Sequence, residues 1–201
     1  TEMGQLDRLR TELPESAEPL VPKRWGELNT ITIAFGQGLN VAPLQAMMAV
    51  GALSNGGQLI NPTFLKRSEE EARANAPQVV RPEVSEALRY LMRLNAETGT
   101  ADKIIRGRYA KDRVFTTFMA IAPSDKPRYL FLTLMDEPQA LPETQGYRTA
   151  AWNSGAVTGK IIERVANMLN LPPRLDLPTQ PFPLLAKLGF GYVNTPAAKG
   201  N

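Results

Sequence analysis

The sequence predicts an α+β domain in which an antiparallel sheet is flanked by helices on both faces. Two neighbouring segments, 114–122 and 128–136, are rich in Phe, Thr, Leu and Tyr, and a Pro-Ser-Asp-Lys-Pro run joins them. This pattern is typical of an antiparallel hairpin. Both strands are apolar on both faces, so each face of the sheet needs a covering layer. Segments with helical periodicity precede and follow the hairpin and can supply those layers.

The first forty residues predict little regular structure. Three prolines punctuate the polar segment 14–22, and residues 5–11 before it are expected to form a short helix. Residues 30–35 (TITIAF) alternate in polarity and predict a short strand or a buried turn. A flexible glycine-containing turn follows at 36–38.

Two helices are predicted between this turn and the hairpin. Pro43 suits the first turn of a helix that extends to the glycine pair at 56–57, and its nearly all-round apolar surface indicates burial. The charged segment 66–77 predicts a loop or an exposed helical turn. The second helix is expected to begin at Pro82 and to end near Asn95. The face predicted to be apolar in this helix comprises Val84, Leu88, Leu91 and Met92.

Residues 151–171 predict one long helix, because small and apolar residues recur there at steps of three and four. Those residues are Ala151, Gly155, Thr158, Ile162, Val165 and Leu169. Beyond this helix the chain is rich in proline and has no period, which predicts an extended tail that packs weakly or not at all. The expected organisation is therefore a domain at 1–171 and a proline-rich tail at 172–201.

Composition excludes several kinds of chemistry. The 201-residue chain has no cysteine and no histidine, so structural zinc sites, disulfide frameworks, thiol nucleophiles and Ser-His-Asp triads lack their parts. The formal net charge is only +3, and no basic stripe is present. A nucleic-acid-binding domain, which the sequence pI of 9.3 alone suggests, is therefore disfavoured.

The sharpest local candidate for chemistry is the run Glu97-Thr98-Gly99-Thr100. A Thr-Gly-Thr on a strand offers two hydroxyls and a backbone that a ligand can approach closely. The alternative is a turn that ends the preceding helix, which is the commoner use of such residues.

Other candidates are weaker. Residues 36–39 (GQGL) look like the start of a phosphate-binding loop but lack its third glycine and its ribose-binding acid. Residues 136–138 (DEP) could pair two carboxylates, yet no second acidic cluster completes a site. Core packing is expected for Trp152, Met47, Met48 and Met119.

Five segments, taken in order, resemble the C-terminal half of the transpeptidase domain of class B penicillin-binding proteins, above all the division-specific enzymes that cross-link septal peptidoglycan. They are 31–64, 79–92, 98–103, 107–138 and 149–165. The resemblance covers about residues 5–171 and implies a β-lactamase/transpeptidase-like fold that is incomplete in this chain.

The family's chemistry uses the motifs S-x-x-K, S-x-N and K-T-G. No serine of this chain is followed by lysine at the third position or by asparagine at the second. The resemblance therefore implies a fragment that begins after its nucleophile and is expected to be inactive by itself. Glu97 stands where the family has the lysine of the third motif, and a family segment of some fifteen to twenty residues before that lysine has no counterpart. The sequence leaves open whether this junction is natural or a gap.

The resemblance also implies roles and partners. Thr98 and Thr100 would bind the terminal carboxylate of the substrate, Gly99 would let the substrate lie along the strand edge, and the backbone N–H of Thr100 would contribute to the oxyanion hole. It implies no metal and no cofactor. Implied partners are peptidoglycan stem peptides, β-lactams, division and cell-wall synthesis proteins and the remaining part of the same domain, with no nucleic acid. The implied location is the periplasmic face of the bacterial inner membrane, with an anchor outside this chain. The alternative is a non-catalytic scaffold of the same family in wall or division complexes.

Overall fold

The computed structural model describes residues 3–34, 36–98 and 115–173, which form five α-helices and one two-stranded antiparallel sheet. The predicted α+β class is confirmed. The elements, in chain order, are α1 (Glu27–Ala34), α2 (Pro43–Ser54), α3 (Glu69–Arg73), α4 (Pro82–Thr98), β1 (Phe115–Ala122), β2 (Tyr129–Asp136) and α5 (Ala156–Val165).

The sheet is the predicted hairpin. β1 pairs with β2 in a continuous register from Phe115 opposite Asp136 to Ala122 opposite Tyr129. The proline- and aspartate-containing turn between the strands closes with a backbone hydrogen bond from Arg128 N to Ala122 O at 3.1 Å. The strand boundaries therefore agree with the sequence pattern to within one residue, because turn and strand signals were both strong.

Helices cover both faces of the hairpin, as the apolar character of both strands predicted. On one face the Thr158 hydroxyl of α5 donates to the Thr133 hydroxyl of β2 at 2.7 Å. On the other face Ile121 and Leu130, which are register partners, lie against α2. Successive side chains of a strand alternate between the faces, which places these residues on opposite sides.

The apolar core of the described residues is centred on α2. Met48 and Ala52 of this helix pack with Leu59, and Met3, Leu9 and Val79 pack around them, partly buried. The prediction of a helix from Pro43 that is buried in the core is confirmed. The charged segment 66–77 contains α3, whose side chains remain exposed or half-buried, in agreement with an exposed helical turn.

The predicted end and face of α4 are both inaccurate. The helix continues to Thr98, three residues beyond the expected end at Asn95. Among residues 82–95 its buried positions are Ser85 and Ala87, whereas Leu91, which was expected on the apolar face, is 40% exposed. Periodicity locates large apolar side chains, but here a small polar residue, Ser85, contacts α2.

Two predictions for the N-terminal region are wrong. Residues 5–11 form no helix, and residues 30–34 of the predicted strand or buried turn at 30–35 belong instead to helix α1. In α1 the Asn29 side chain accepts a hydrogen bond from Gly26 N at 3.1 Å and the Thr32 hydroxyl donates to the Asn29 carbonyl at 3.1 Å. These local hydrogen bonds stabilise a helical conformation in a segment whose β-branched side chains would by themselves favour a strand.

The long helix predicted at 151–171 is divided. Residues Ala151–Gly155 form a π-helical turn, in which Gly155 N donates to Ala150 O at 2.7 Å, and α5 follows. Gly155 lies so close to the sheet that a Cβ atom there would be 3.0 Å from the ring of Phe118. Such π-turns arise as local insertions in α-helices.

The proline-rich tail predicted at 172–201 lies outside the described residues except for its first two positions, so its organisation stays a prediction. In the part of the chain that is described, no helix has both the length and the apolar character needed to cross a membrane.

The N-terminal segment is joined to the loop after α2 by Glu12. Its carboxylate accepts hydrogen bonds from the Thr63 hydroxyl and from Phe64 N, the latter at 3.0 Å. These donors, with a smaller contribution from the positive charge of Arg67, hold the pKa of the Glu12 carboxyl below its usual value.

This arrangement predicts a pH-dependent contact. Because the pKa of Glu12 is lower in the folded chain than in the unfolded chain, the stabilisation is complete above the ordinary carboxyl pKa and is lost as pH falls through the lowered one. A carboxyl-detected NMR titration should show this low pKa, and the amide of Phe64 should titrate with it. In Glu12→Gln the Phe64 titration should disappear; its persistence would assign the effect to another group.

Candidate functional site

The predicted site residues lie at the end of α4 and beyond it. Glu97 and Thr98 are the last two residues of this helix by backbone conformation, so Thr98 does not lie on a strand. Gly99 and Thr100 lie outside the described residues. The position of α4 therefore determines where the chain enters the candidate site.

The position of α4 depends on Ser85, which is fully buried. Its hydroxyl donates to the carbonyl of Leu53 at 2.8 Å and accepts from Gly56 N at 3.0 Å. One turn later Arg89 donates from Nη1 to the carbonyl of Ser54 at 3.0 Å. Two side chains of α4 thus satisfy polar backbone groups at the C-terminal end of α2 that have no partner within that helix.

A second connection is made by the glycine pair after α2. Gly57 accepts backbone hydrogen bonds from Val79 N at 2.8 Å and Val80 N at 3.2 Å, immediately before α4 begins. The amide of Gln78 also donates to Gly56 O at 2.7 Å. These contacts set the distance between the end of α2 and the start of α4. They therefore also set the direction of α4, and with it the position of Thr98 at the end of that helix.

The remaining sequence candidates contribute no second site. Gly36 and Gly38 have positive φ angles of 87° and 89° in an exposed turn. Asp136 and Glu137 are exposed at the end of β2. Within the described ranges no three His, Cys, Asp or Glu residues are grouped so that they could hold a metal ion. Met48 belongs to the core cluster, and Trp152 stacks on Tyr147 with ring centroids 5.6 Å apart.

Two buried polar residues of this region, Gln45 and Ser85, were not identified from the sequence. Both are fully buried, and each forms at least two hydrogen bonds. For Gln45 a local signal existed, because glutamine at the third position of a helix that begins with proline can accept from the backbone N–H before the helix. No comparable signal marked Ser85, whose partners are about thirty residues away.

Comparison with known proteins gives the family. The penicillin binding protein transpeptidase domain matches residues 2–163. Probable peptidoglycan D,D-transpeptidase FtsI of Caulobacter vibrioides is 30% identical over 206 residues, which is 89% of this chain and 35% of that protein. Stage V sporulation protein D of Bacillus subtilis is 28% identical over 178 residues, which is 76% of this chain and 27% of that protein. The chain thus spans about a third of the length of such relatives.

The fold agrees with this match. The transpeptidase domain of penicillin-binding protein 3 from Burkholderia pseudomallei superposes with a TM-score of 0.70 at 24% identity, over 88% of this chain and 57% of that one. Together these findings confirm the resemblance noted in the sequence: the chain belongs to the penicillin-binding protein transpeptidase family. Within this family the chain is of the class B, FtsI-like type.

Proposed function

We propose that this chain is part of a serine D,D-transpeptidase that cross-links peptidoglycan at the division septum. The observation that carries the proposal is the family match over residues 2–163, together with relatives named peptidoglycan D,D-transpeptidases. The parent protein would act at the periplasmic face of the inner membrane on stem peptides, and β-lactams would be its inhibitors. Division and wall-synthesis proteins, and the rest of the same domain, would be its protein partners.

The reaction is a two-step acyl transfer. A serine hydroxyl attacks the penultimate D-Ala carbonyl of a stem peptide, the terminal D-Ala leaves, and an acyl-enzyme remains. The amine of a second stem peptide then attacks the ester, forms the cross-link and releases the serine. Lysines handle the proton in this scheme, which agrees with a chain that contains no histidine.

The part of the site that this chain would supply begins at Thr98, the last residue of α4. Thr98 and Thr100 would bind the substrate's terminal carboxylate through their hydroxyls, and Gly99 would leave room for the substrate backbone. The N–H of Thr100 would be one of the two oxyanion donors, aimed at the charge that develops on the carbonyl oxygen. The serine that attacks, and its own N–H as the second donor, would come from outside this chain.

A fluorescent penicillin tests this proposal directly. The full-length parent should form a labelled ester that survives denaturing gel electrophoresis and that excess unlabelled penicillin prevents. The 201-residue chain alone should stay unlabelled, because it contains no S-x-x-K serine. A parent that is folded but unlabelled would contradict the transpeptidase assignment, whereas labelling of the isolated chain would show that its nucleophile is present after all.

Thr98→Val in the full-length parent should reduce the second-order rate of penicillin acylation by roughly 10–100-fold. A hydrogen bond to a charged group contributes about 1.5–3 kcal/mol, and valine retains the shape of threonine while it removes the hydroxyl. Thr98→Ser, which keeps the hydroxyl, is the matched control and should stay within a few fold of the unaltered parent. Stopped-flow acylation with a chromogenic β-lactam measures both rates, and equal rates for the two variants would remove Thr98 from the site.

One observation favours a second candidate function. Glu97 stands beside Thr98 where the family has a lysine, and a carboxylate there would repel the substrate's own carboxylate. If the parent's gene encodes this junction as it stands, a non-catalytic scaffold in wall or division complexes becomes the better hypothesis. Glu97→Lys in the parent separates the two candidates. Acylation that appears only in Glu97→Lys would support the scaffold, and acylation already present in the parent would support the enzyme.

A further inference from the structure

The segment from Leu20 to Asn40 is closed at its base by backbone hydrogen bonds and contains helix α1. Leu20 N donates to Asn40 O at 2.8 Å, and Asn40 N donates to Leu20 O at 3.0 Å. None of the eight residues of α1 is buried. In the described part of the chain, no other helix or strand packs extensively on α1.

The large apolar side chains of this region are turned toward solvent. Leu28 is 72% exposed, Ile31 is 52% exposed, and Trp25, two residues before the helix, is 54% exposed. The half-buried positions of α1 are Asn29, Thr32 and one isoleucine. A surface helix normally shows the reverse, with its apolar side chains turned toward the protein. The exposed side chains of Trp25, Leu28 and Ile31, which we call the α1 face, are therefore typical of an interaction surface.

The stability of α1 also calls for a covering layer. Isolated helices shorter than about 12–15 residues are marginal in water, and most helices are stabilised by the packing of one face. The run Thr-Ile-Thr-Ile at 30–33 is β-branched throughout, which lowers the helix propensity further. The hydrogen bonds of Asn29 and Thr32 to nearby backbone groups stabilise the turn but bury none of the α1 face.

The comparisons indicate where such a layer would come from. The family match over residues 2–163 includes α1, so this helix belongs to the transpeptidase domain. The transpeptidase domain from Burkholderia pseudomallei is matched over only 57% of its length. The remainder of a domain of this fold therefore has no counterpart in this chain. Because the elements of a domain pack around a shared core, that remainder needs a contact surface on this chain.

The charges beside the α1 face define the partner surface further. Lys23 and Arg24 directly precede Trp25 and are exposed. Neither side chain is paired with a carboxylate among the described residues. A partner surface that is apolar at its centre and acidic at its rim would complement both the apolar side chains and these cations.

We propose that the α1 face docks on the part of the parent's transpeptidase domain that lies outside this chain. Apolar side chains of that part cover Leu28 and Ile31, and an acidic side chain lies opposite Lys23 or Arg24. The proposal rests on the proposed function only in that the parent contains the rest of such a domain. It uses no residue of the family's catalytic motifs.

Photo-cross-linking in the full-length parent tests this proposal. With p-benzoylphenylalanine at position 28, irradiation should join this position to a peptide of the same chain that lies outside the 201 residues. The same amino acid at position 30, exposed on another side of α1, is the matched control and should cross-link far less to that peptide. A cross-link between two copies of the parent, a cross-link to a residue within the 201, or no cross-link would overturn the proposal.

Penicillin labelling of the same samples keeps the docking surface and the proposed function apart. A parent that cross-links as expected but takes up no fluorescent penicillin would contradict the transpeptidase assignment and leave the docking surface in place. A parent that is labelled by penicillin but gives no cross-link would overturn the docking surface alone.

Leu28→Asp provides a second, independent test. In the parent it should lower the melting temperature by about 4 °C or more, because it places a charge in an apolar contact. In the 201-residue chain, where Leu28 is exposed, the change should stay within about 1 °C. Thr30→Asp, the control on the same helix, should stay within about 1 °C in both proteins. Equal shifts for Leu28→Asp in the parent and in the 201-residue chain would show that the rest of the parent does not cover the α1 face.

Discussion

Gly57→Ala should lower the free energy of unfolding by about 3–5 kcal/mol, one of the two largest effects expected of a single substitution in this chain. Gly57 has a φ of 96°, which an L-residue adopts only with strain, and a Cβ atom there would overlap the carbonyl oxygen of Val80 and lie 2.6 Å from its carbonyl carbon. Relief would require the chain to separate at Val79 and Val80, whose N–H groups both donate to Gly57 O.

The neighbouring glycine is the matched control. Gly56 has a φ of 98°, yet a Cβ atom there would meet no other atom within 4 Å. Gly56→Ala therefore carries the conformational cost without the collision and should cost only about 1 kcal/mol. Urea denaturation of both variants measures the difference, which should be at least 2 kcal/mol. Equal destabilisation would mean that backbone conformation alone, and not the contact with Val80, makes Gly57 necessary.

The position of Gly56 and Gly57 predicts an effect of these substitutions on the proposed activity. Gly57 and the residues it binds lie between α2 and α4, and α4 leads directly to Thr98. If Thr98 serves the proposed site, a displaced α4 should reduce acylation of the parent even below the temperature at which it unfolds. Gly56→Ala should leave that acylation rate nearly unchanged.

The sequence predicted those elements whose signals are local. Pro43 and the Gly-Gly pair at 56–57 bracket α2, and the proline-rich turn at 123–127 separates two apolar strands, so their positions needed no knowledge of the rest of the chain. Residues 5–11 were predicted to be helical and are not, because their conformation depends on contacts with Gln45 about forty residues away. A window of local periodicity contains no information about such a partner.

The same difference between local signals and long-range contacts holds for the candidate site. Thr98, Gly99 and Thr100 were the sharpest candidates in the sequence itself, but their pattern alone favoured a turn after a helix, and only the resemblance to the family gave them roles. Ser85 and Arg89, which position α4, are a small polar residue and a charged residue on a helix face, and periodicity treats both as solvent-facing. Their hydrogen bonds to Leu53 and Ser54 exist only once α2 and α4 have packed.

Gln45→Leu is the second substitution for which a large effect is expected. Gln45 is fully buried at the start of α2. Its Nε2 donates to Gly4 O at 3.1 Å and Asp7 O at 2.7 Å, and its Oε1 accepts from Ala42 N at 3.1 Å. Leucine would leave three backbone groups without these partners, at a cost of about 1–3 kcal/mol each, against a gain of about 1.5–3 kcal/mol from the added apolar burial. With the middle of each range, the net loss is roughly 4 kcal/mol.

Gln5→Leu is the control that separates burial from hydrogen bonding in this prediction. Gln5 is only half-buried, and its Nε2 donates to Met3 O at 3.0 Å and Gln45 O at 2.9 Å. Water can replace a half-exposed donor more readily, so this variant should cost about 1 kcal/mol. Hydrogen exchange should locate the difference: Gln45→Leu should expose the amide of Ala42, which loses its acceptor, while Gln5→Leu should leave it protected. A Gln45→Leu chain as stable as the original would mean that water or a shift of residues 4–7 satisfies the three groups.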